Sequence, residues 1–241
     1  MQKDNAINIT FQAIDWHHYH EKDIDNEDIY VMQIFGRTEN GKSICVRVTD
    51  FEPYFYVEIP KTWNDRHIEI FIKCLKNKVS WRNDNKNYYD YDISESLISY
   101  ETVRYKNLYY FNGNRKLRFL KLSFKNRFAM NFYSSILNYP IKNKLLSRKD
   151  MKFNLFESNV EPLLRFIHIQ KLSSCGWINI KLSDCEEIDD YSHCDYSYSV
   201  NWKNVHKYDN GDEMAPFKVL GYDIECITPH QDFPQSSRIT D

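Results

Sequence analysis

Glycine and proline are scarce in this sequence, six and seven among 241 residues, which excludes a collagenous, linker-like or low-complexity chain. The six cysteines, Cys45, Cys74, Cys175, Cys185, Cys194 and Cys226, form no CxxC pair; that spacing fits reduced thiols and argues against a zinc ribbon or a disulfide framework. No apolar run approaches the ~20 residues a membrane-spanning helix needs, and no apolar stretch follows a basic N-terminus. The expectation is a soluble, intracellular protein with no membrane contact. Neither sign of charge dominates, with 32 Lys and Arg against 34 Asp and Glu, so any contact with nucleic acid has to come from a local patch. Aromatic residues are abundant instead, 18 Tyr and 15 Phe, as in a well-filled, strand-rich globular protein.

The pattern along the chain is that of an α/β (α+β) protein with a β-rich beginning. Residues 7–16, 29–37, 43–51 and 54–60 alternate in the strand manner and are separated by turn residues, with Asn40-Gly41 a hairpin signal; three or four antiparallel strands are expected to open the fold. A helix follows over "TWNDRHIEIFIKCLKNKV", with Asn64 as its cap. The polar stretch "RNDNKNYYDYDIS" reads as a surface loop, and its "YYDYD" lacks the apolar flanks that paired catalytic aspartates on a hairpin require. Two further strands, "YETVRYKNLYYF" and "RKLRFLKLSF", flank the turn "NGN". The second carries a basic fringe, Arg115, Lys116, Arg118 and Lys121, able to track a phosphate backbone or to stand as a solvated face. "FAMNFYSSILN" reads as a short helix.

From Leu155 a helix is expected, capped by Ser158 or Asn159, with Pro162 in its first turn, an end near Ser173, a turn at Gly176 and a strand from Trp177. His17, His18 and His20 have no further ligands spaced to close a metal site, and Cys185, His193 and Cys194 in the acidic "SDCEEIDDYSHCD" fit no finger spacing, so both clusters read as ordinary surface or core residues.

"FESNVEPLLRF" and "CGWI" resemble the segment that precedes the exonuclease domain in family B, delta-type DNA polymerases. "APFKVLGYDIEC…FP" is similar to the first exonuclease motif of that family, "FEPYFYV" to its N-terminal signature, and "FQAIDWHHYHEKD" with "IFGRTENGK" to the versions in large DNA viruses. The resemblance runs in the right order along nearly the whole chain. It implies a β-rich N-terminal domain over residues 1–150, then a connector and the incomplete start of an RNase H-like 3′→5′ exonuclease domain over 151–241, its first motif at 218–226. Asp223 and Glu225 stand at i and i+2 of the expected strand and so share one face. The resemblance makes them catalytic, metal-holding carboxylates for a pair of Mg²⁺ ions, and makes DNA template-primer, deoxynucleotides, the rest of the polymerase chain and a processivity factor the partners. The chain is thus expected to be an N-terminal piece of a longer polymerase, inactive alone. The alternatives are a single-stranded nucleic-acid-binding module and a self-standing nuclease.

Overall fold

A computed structural model describes residues 8–24, 26–86, 91–106, 116–210 and 213–223. Two sheets, each with its own core, organise the chain. The first begins as a meander of β1 (Asn8–Lys22), β2 (Asp28–Thr38) and β3 (Ser43–Thr49). Gly41 closes the β2–β3 hairpin at φ 73°, a left-handed conformation that glycine adopts without steric cost. A bulge between Ala13 and Asp15 kinks β1 against β2. There Gly36 lets the strands meet closely, since a Cβ would stand 2.5 Å from the Gln12 carbonyl oxygen.

The chain leaves this sheet after Asp50. β4 (Tyr54–Glu58), α1 (Asp65–Lys86), β5 (Leu97–Lys106), β6 (Lys116–Phe124), α2 (Arg127–Leu137) and β7 (Leu155–Phe156) form a β-α-β-β-α-β unit. Its antiparallel sheet has the order β5-β6-β4-β7, the split βαβ arrangement in which helices cover one face. Phe55, Val57, Leu120, Leu122 and Phe124 point from the strands into a core completed by Phe71, Leu75 and Val79 of α1 and Met130, Tyr133 and Ile136 of α2. Asn126 caps α2 through Ala129 N–H at 2.8 Å and donates to the Asp28 carbonyl at 2.6 Å, tying this unit to β2.

The chain then returns to the first sheet through α3 (Pro162–Ile169), β8 (Trp177–Lys181), β9 (Cys185–Glu187), β10 (Tyr196–Asn201) and β11 (His206–Lys207). The completed order is β11-β8-β1-β2-β3-β10-β9, with β3 and β10 its one parallel pair among the described residues. Leu163 and Phe166 of α3 seal its core against Phe11, Phe51, Ile178 and Val200. Residues on both sides of position 150 therefore build the same two sheets.

Three antiparallel strands open the fold, within the three or four expected; β4 starts the second sheet, because Asp50 at φ 62° turns the chain away. Two local expectations are corrected. α1 runs on through "RNDNK", since Asn83 is buried and donates to the Tyr91 carbonyl at 3.0 Å, a contact that overrides the polar composition. α3 is capped at Glu161 without a side-chain bond and ends at Gln170. The Glu161 carboxylate is engaged elsewhere, with Arg127 at 2.6 Å and His18 at 3.5 Å. Asn64 does cap α1, accepting from His67 N–H at 3.2 Å.

Asp195 holds the loop before β10 to β3. It accepts from the Ser43 N–H at 2.8 Å, the Ser43 hydroxyl at 2.8 Å and Lys42 Nζ at 3.0 Å. The Ser43 backbone bond, then its hydroxyl and Lys42, draw the carboxyl down to about 2. A lowered folded-state value means the contribution is complete above the ordinary 3.8 and is lost as pH falls toward 2. The Ser43 amide resonance should accordingly titrate with a midpoint near 2; a midpoint near 3.8 would show that the contacts do not form in solution.

Candidate functional site

Asp223 is exposed and closes the described segment 213–223, while Glu225 lies outside the described residues. The expected strand over 218–226 is not formed within the described part: residues 213–223 follow an irregular path and join neither sheet among the described residues. Val219, Leu220 and Tyr222 are 91%, 83% and 80% exposed. The physical reason is that an alternating apolar stretch becomes a strand only when a neighbour accepts its backbone bonds. Among the described residues no group of three or more His, Cys, Asp or Glu is placed to hold a metal. A pair of carboxylates supplies the hard oxygen donors that Mg²⁺ takes, but the described residues do not complete a site for it. His17, His18 and His20 lie along β1. His20 stacks on Phe128 at 4.0 Å, and burial lowers its pKa. The Cys45 and Cys185 thiols are each pushed up to about 11, chiefly by burial, the opposite of an activated thiolate.

The basic strand is divided by the pleat. Lys116 and Arg118 lie on one face of β6 and Lys121 on the other, as residues of opposite parity must; Arg115 lies outside the described residues. Arg118 donates to the Trp63 carbonyl at 2.6 Å and so braces the β4–α1 loop. Lys121 sits 4.4 Å over the Tyr54 ring and pairs with Glu101 at 3.2 Å. Tyr56, Tyr105, Phe119 and Phe156 on that face meet mostly edge to face, with centroids 5.2–6.5 Å apart. These rings pack on one another, and Tyr54 has a second cation, Arg165, 4.1 Å from its centroid.

What the structure does bring together are the quoted motifs themselves. Arg165 of "LLRF" stacks on Tyr54 of "FEPYFYV" and bonds Glu157 of "FESN" twice, to its carboxylate at 2.5 Å and its carbonyl at 2.9 Å. Phe166 meets Phe51 at 5.9 Å and Trp16 at 6.4 Å. Gln12 of "FQAIDW" is the pivot at the other end. Its amide donates to the Cys175 carbonyl of "CGWI" at 2.9 Å and accepts from the Ala215 N–H of "APFKVL" at 2.8 Å. Trp177 Nε1 donates to the Glu213 carbonyl at 2.8 Å. Motifs distant in sequence thus fix the root of the arm that carries Asp223. Sequence reasoning quoted each of these stretches without assigning a role to Gln12, Trp177 or Arg165.

Residues 153–241 match the family model described as DNA polymerase family B, exonuclease domain. This part of the chain is similar to the exonuclease domain of family B DNA polymerases. Over 238 residues it is 47% identical to the DNA polymerase of Acanthamoeba polyphaga mimivirus, covering 99% of this chain and 14% of that protein. It is 36% identical to the DNA polymerase of Pyramimonas orientalis virus, covering 96% and 18%. With the DNA polymerase delta catalytic subunit of Caenorhabditis elegans the identity is 28%, covering 98% and 23%. The chain therefore spans less than a quarter of these relatives' lengths. The family B DNA polymerase structure from the hyperthermophilic archaeon Pyrobaculum calidifontis superimposes at a TM-score of 0.52 and 15% identity, over 79% of this chain and 19% of that one, a likeness of fold. No helix among the described residues is long and apolar enough to cross a membrane.

Proposed function

We propose that this chain is the N-terminal part of a replicative family B DNA polymerase and that its two-sheet body, residues 8–210, carries the start of a 3′→5′ exonuclease domain on the arm from Ala215. The clamp of Gln12 and Trp177 on residues 213–215 is the observation that carries this reading, because it fixes the root of the segment bearing Asp223 to the sheet. In this role Asp223 and Glu225 are the first two carboxylates of the nuclease site. Divalent cations, Mg²⁺ by family, would supply charge neutralisation at the scissile phosphate. The whole protein would act on template-primer DNA and deoxynucleotides, with a processivity factor as a further partner and an intracellular site of action. Lys116, exposed on β6, with Arg115, Arg118 and Lys121, is assigned a backbone-contacting role toward single-stranded template. Two of the four side chains also serve the fold, so their share of any affinity is small and salt-dependent.

The test separates the polymerase from a self-standing nuclease. The 241-residue chain with Mg²⁺ should not degrade single-stranded DNA, because a two-metal site needs more carboxylates than Asp223 and Glu225. A polypeptide extended through the complete exonuclease domain should degrade it, and Asp223→Ala should abolish that activity. Degradation by the 241-residue chain that disappears in Asp223→Ala would overturn the proposal.

A further inference from the structure

α1 buries Ile68, Phe71, Ile72, Leu75 and Val79 against its own sheet, yet its outer flank carries a second apolar stripe. Ile70, Cys74 and Trp81 follow one another at helical spacing and, with Leu145 from the segment after α2, form the apolar walls of a groove that Asn77 and Asn143 also line. Trp81 is 68% exposed and Leu145 72% exposed. Single exposed apolar side chains are ordinary, but a groove that gathers a Trp, a Leu and an Ile is a patch that association can desolvate. From Ile70 to Trp81 the groove follows α1 for about 16 Å at 1.5 Å per residue, room for about three turns of a second helix.

The charges on this groove have one sign. Lys73 and Lys78 line it, and among the described residues no acid does; Lys144 is exposed beside Leu145. We propose that the groove is a docking site for an acidic, amphipathic peptide segment of a partner protein, its bulky apolar side chains seated against Trp81 and Leu145 and its carboxylates facing Lys73 and Lys78. The stem of exposed Lys73 extends the apolar wall while its ammonium group stays in water, and the Lys78 ammonium is held beside the groove by the Pro140 carbonyl at 3.4 Å. A second copy of this chain fits poorly, since a self-complementary contact across this groove would set lysine against lysine. The groove lies on α1, away from the arm that carries Asp223, so the proposal is independent of the nuclease assignment.

The 241-residue chain can be titrated into a fluorescein-labelled synthetic helix of about three turns, with Leu and Phe at i, i+3, i+4 and i+7 and Glu elsewhere. Comparison peptides are a scrambled version and one with Lys in place of every Glu. The acidic peptide should bind at least about tenfold more tightly than either, and Trp81→Ala should lower its affinity by about tenfold or more, as expected of a central aromatic anchor. The double variant Lys73→Glu/Lys78→Glu should shift the preference toward the lysine peptide, while circular dichroism shows both variants folded. Equal affinity for acidic and lysine peptides, or an affinity untouched by Trp81→Ala, would overturn the proposal. So would competition by single-stranded DNA that both variants abolish, or sedimentation showing a dimer that Trp81→Ala dissolves.

Discussion

Phe166→Ala is expected to destabilise the chain by about 3–5 kcal/mol, the range for removing a fully buried aromatic side chain and leaving a cavity. Phe166 is 0% exposed and joins α3 to the first sheet through edge-to-face contact with Phe51, 5.9 Å between centroids, and a tilted contact with Trp16 at 6.4 Å. Such ring pairs add about 0.5–1.5 kcal/mol beyond the area they bury. Against a total of about 5–15 kcal/mol for a folded domain, the loss is large enough to leave a measurable unfolded fraction. Leu164→Ala on the same helix is the control: Leu164 is 61% exposed, and its truncation should stay within about 0.5 kcal/mol. Urea unfolding of both variants gives the comparison. A Phe166→Ala loss below about 1 kcal/mol would mean that neighbouring side chains collapse into the space, so that α3 is not held by this ring.

The second large effect is expected at Gln12. Its side chain satisfies the Ala215 N–H, in a residue 4% exposed, and the Cys175 carbonyl. Gln12→Ala leaves the buried Ala215 donor without a partner, at a cost of about 1–3 kcal/mol. Because each 1.4 kcal/mol is about a factor of ten, the Ala215 amide should exchange with solvent some tenfold to hundredfold faster, whereas amides in the centre of β2 should hold their rates. Trp177 keeps a second tether to Glu213 at 2.8 Å, so Gln12→Ala/Trp177→Phe should release the arm further than either change alone. Unchanged protection at Ala215 in the double variant would show that the clamp does not hold the arm. In the full-length enzyme proposed above, a shift of about 1 Å in the root of the strand bearing Asp223 can lower a positioned reaction by about a hundredfold. The readout should therefore be a loss of exonuclease rate with nucleotide incorporation retained.

The sequence by itself determined the features whose energies are local. The strand character of residues 8–16, 29–37 and 43–49, the hairpin at Gly41, the helix cap at Asn64 and the proline in the first turn of α3 all follow from side chains and backbone within a few residues of one another, whereas the run of β1 on through 17–22 depends on its pairing with β2. The resemblance to family B DNA polymerases was legible for a related reason: the motifs that carry it are short stretches, and each can be recognised alone. The tertiary structure decided whatever depends on a partner distant along the chain. It placed β4 in a second sheet, extended α1 through a polar stretch because Asn83 finds the Tyr91 carbonyl, and split Lys116 and Arg118 from Lys121 across the pleat. It also joined Gln12 to Ala215, residues 203 positions apart. No local pattern encodes that bond, because a glutamine in a strand looks the same whether its amide meets water or a buried N–H. Only the return of the chain to β1 through β8 brings the partner within reach and turns a polar side chain into the anchor of the arm.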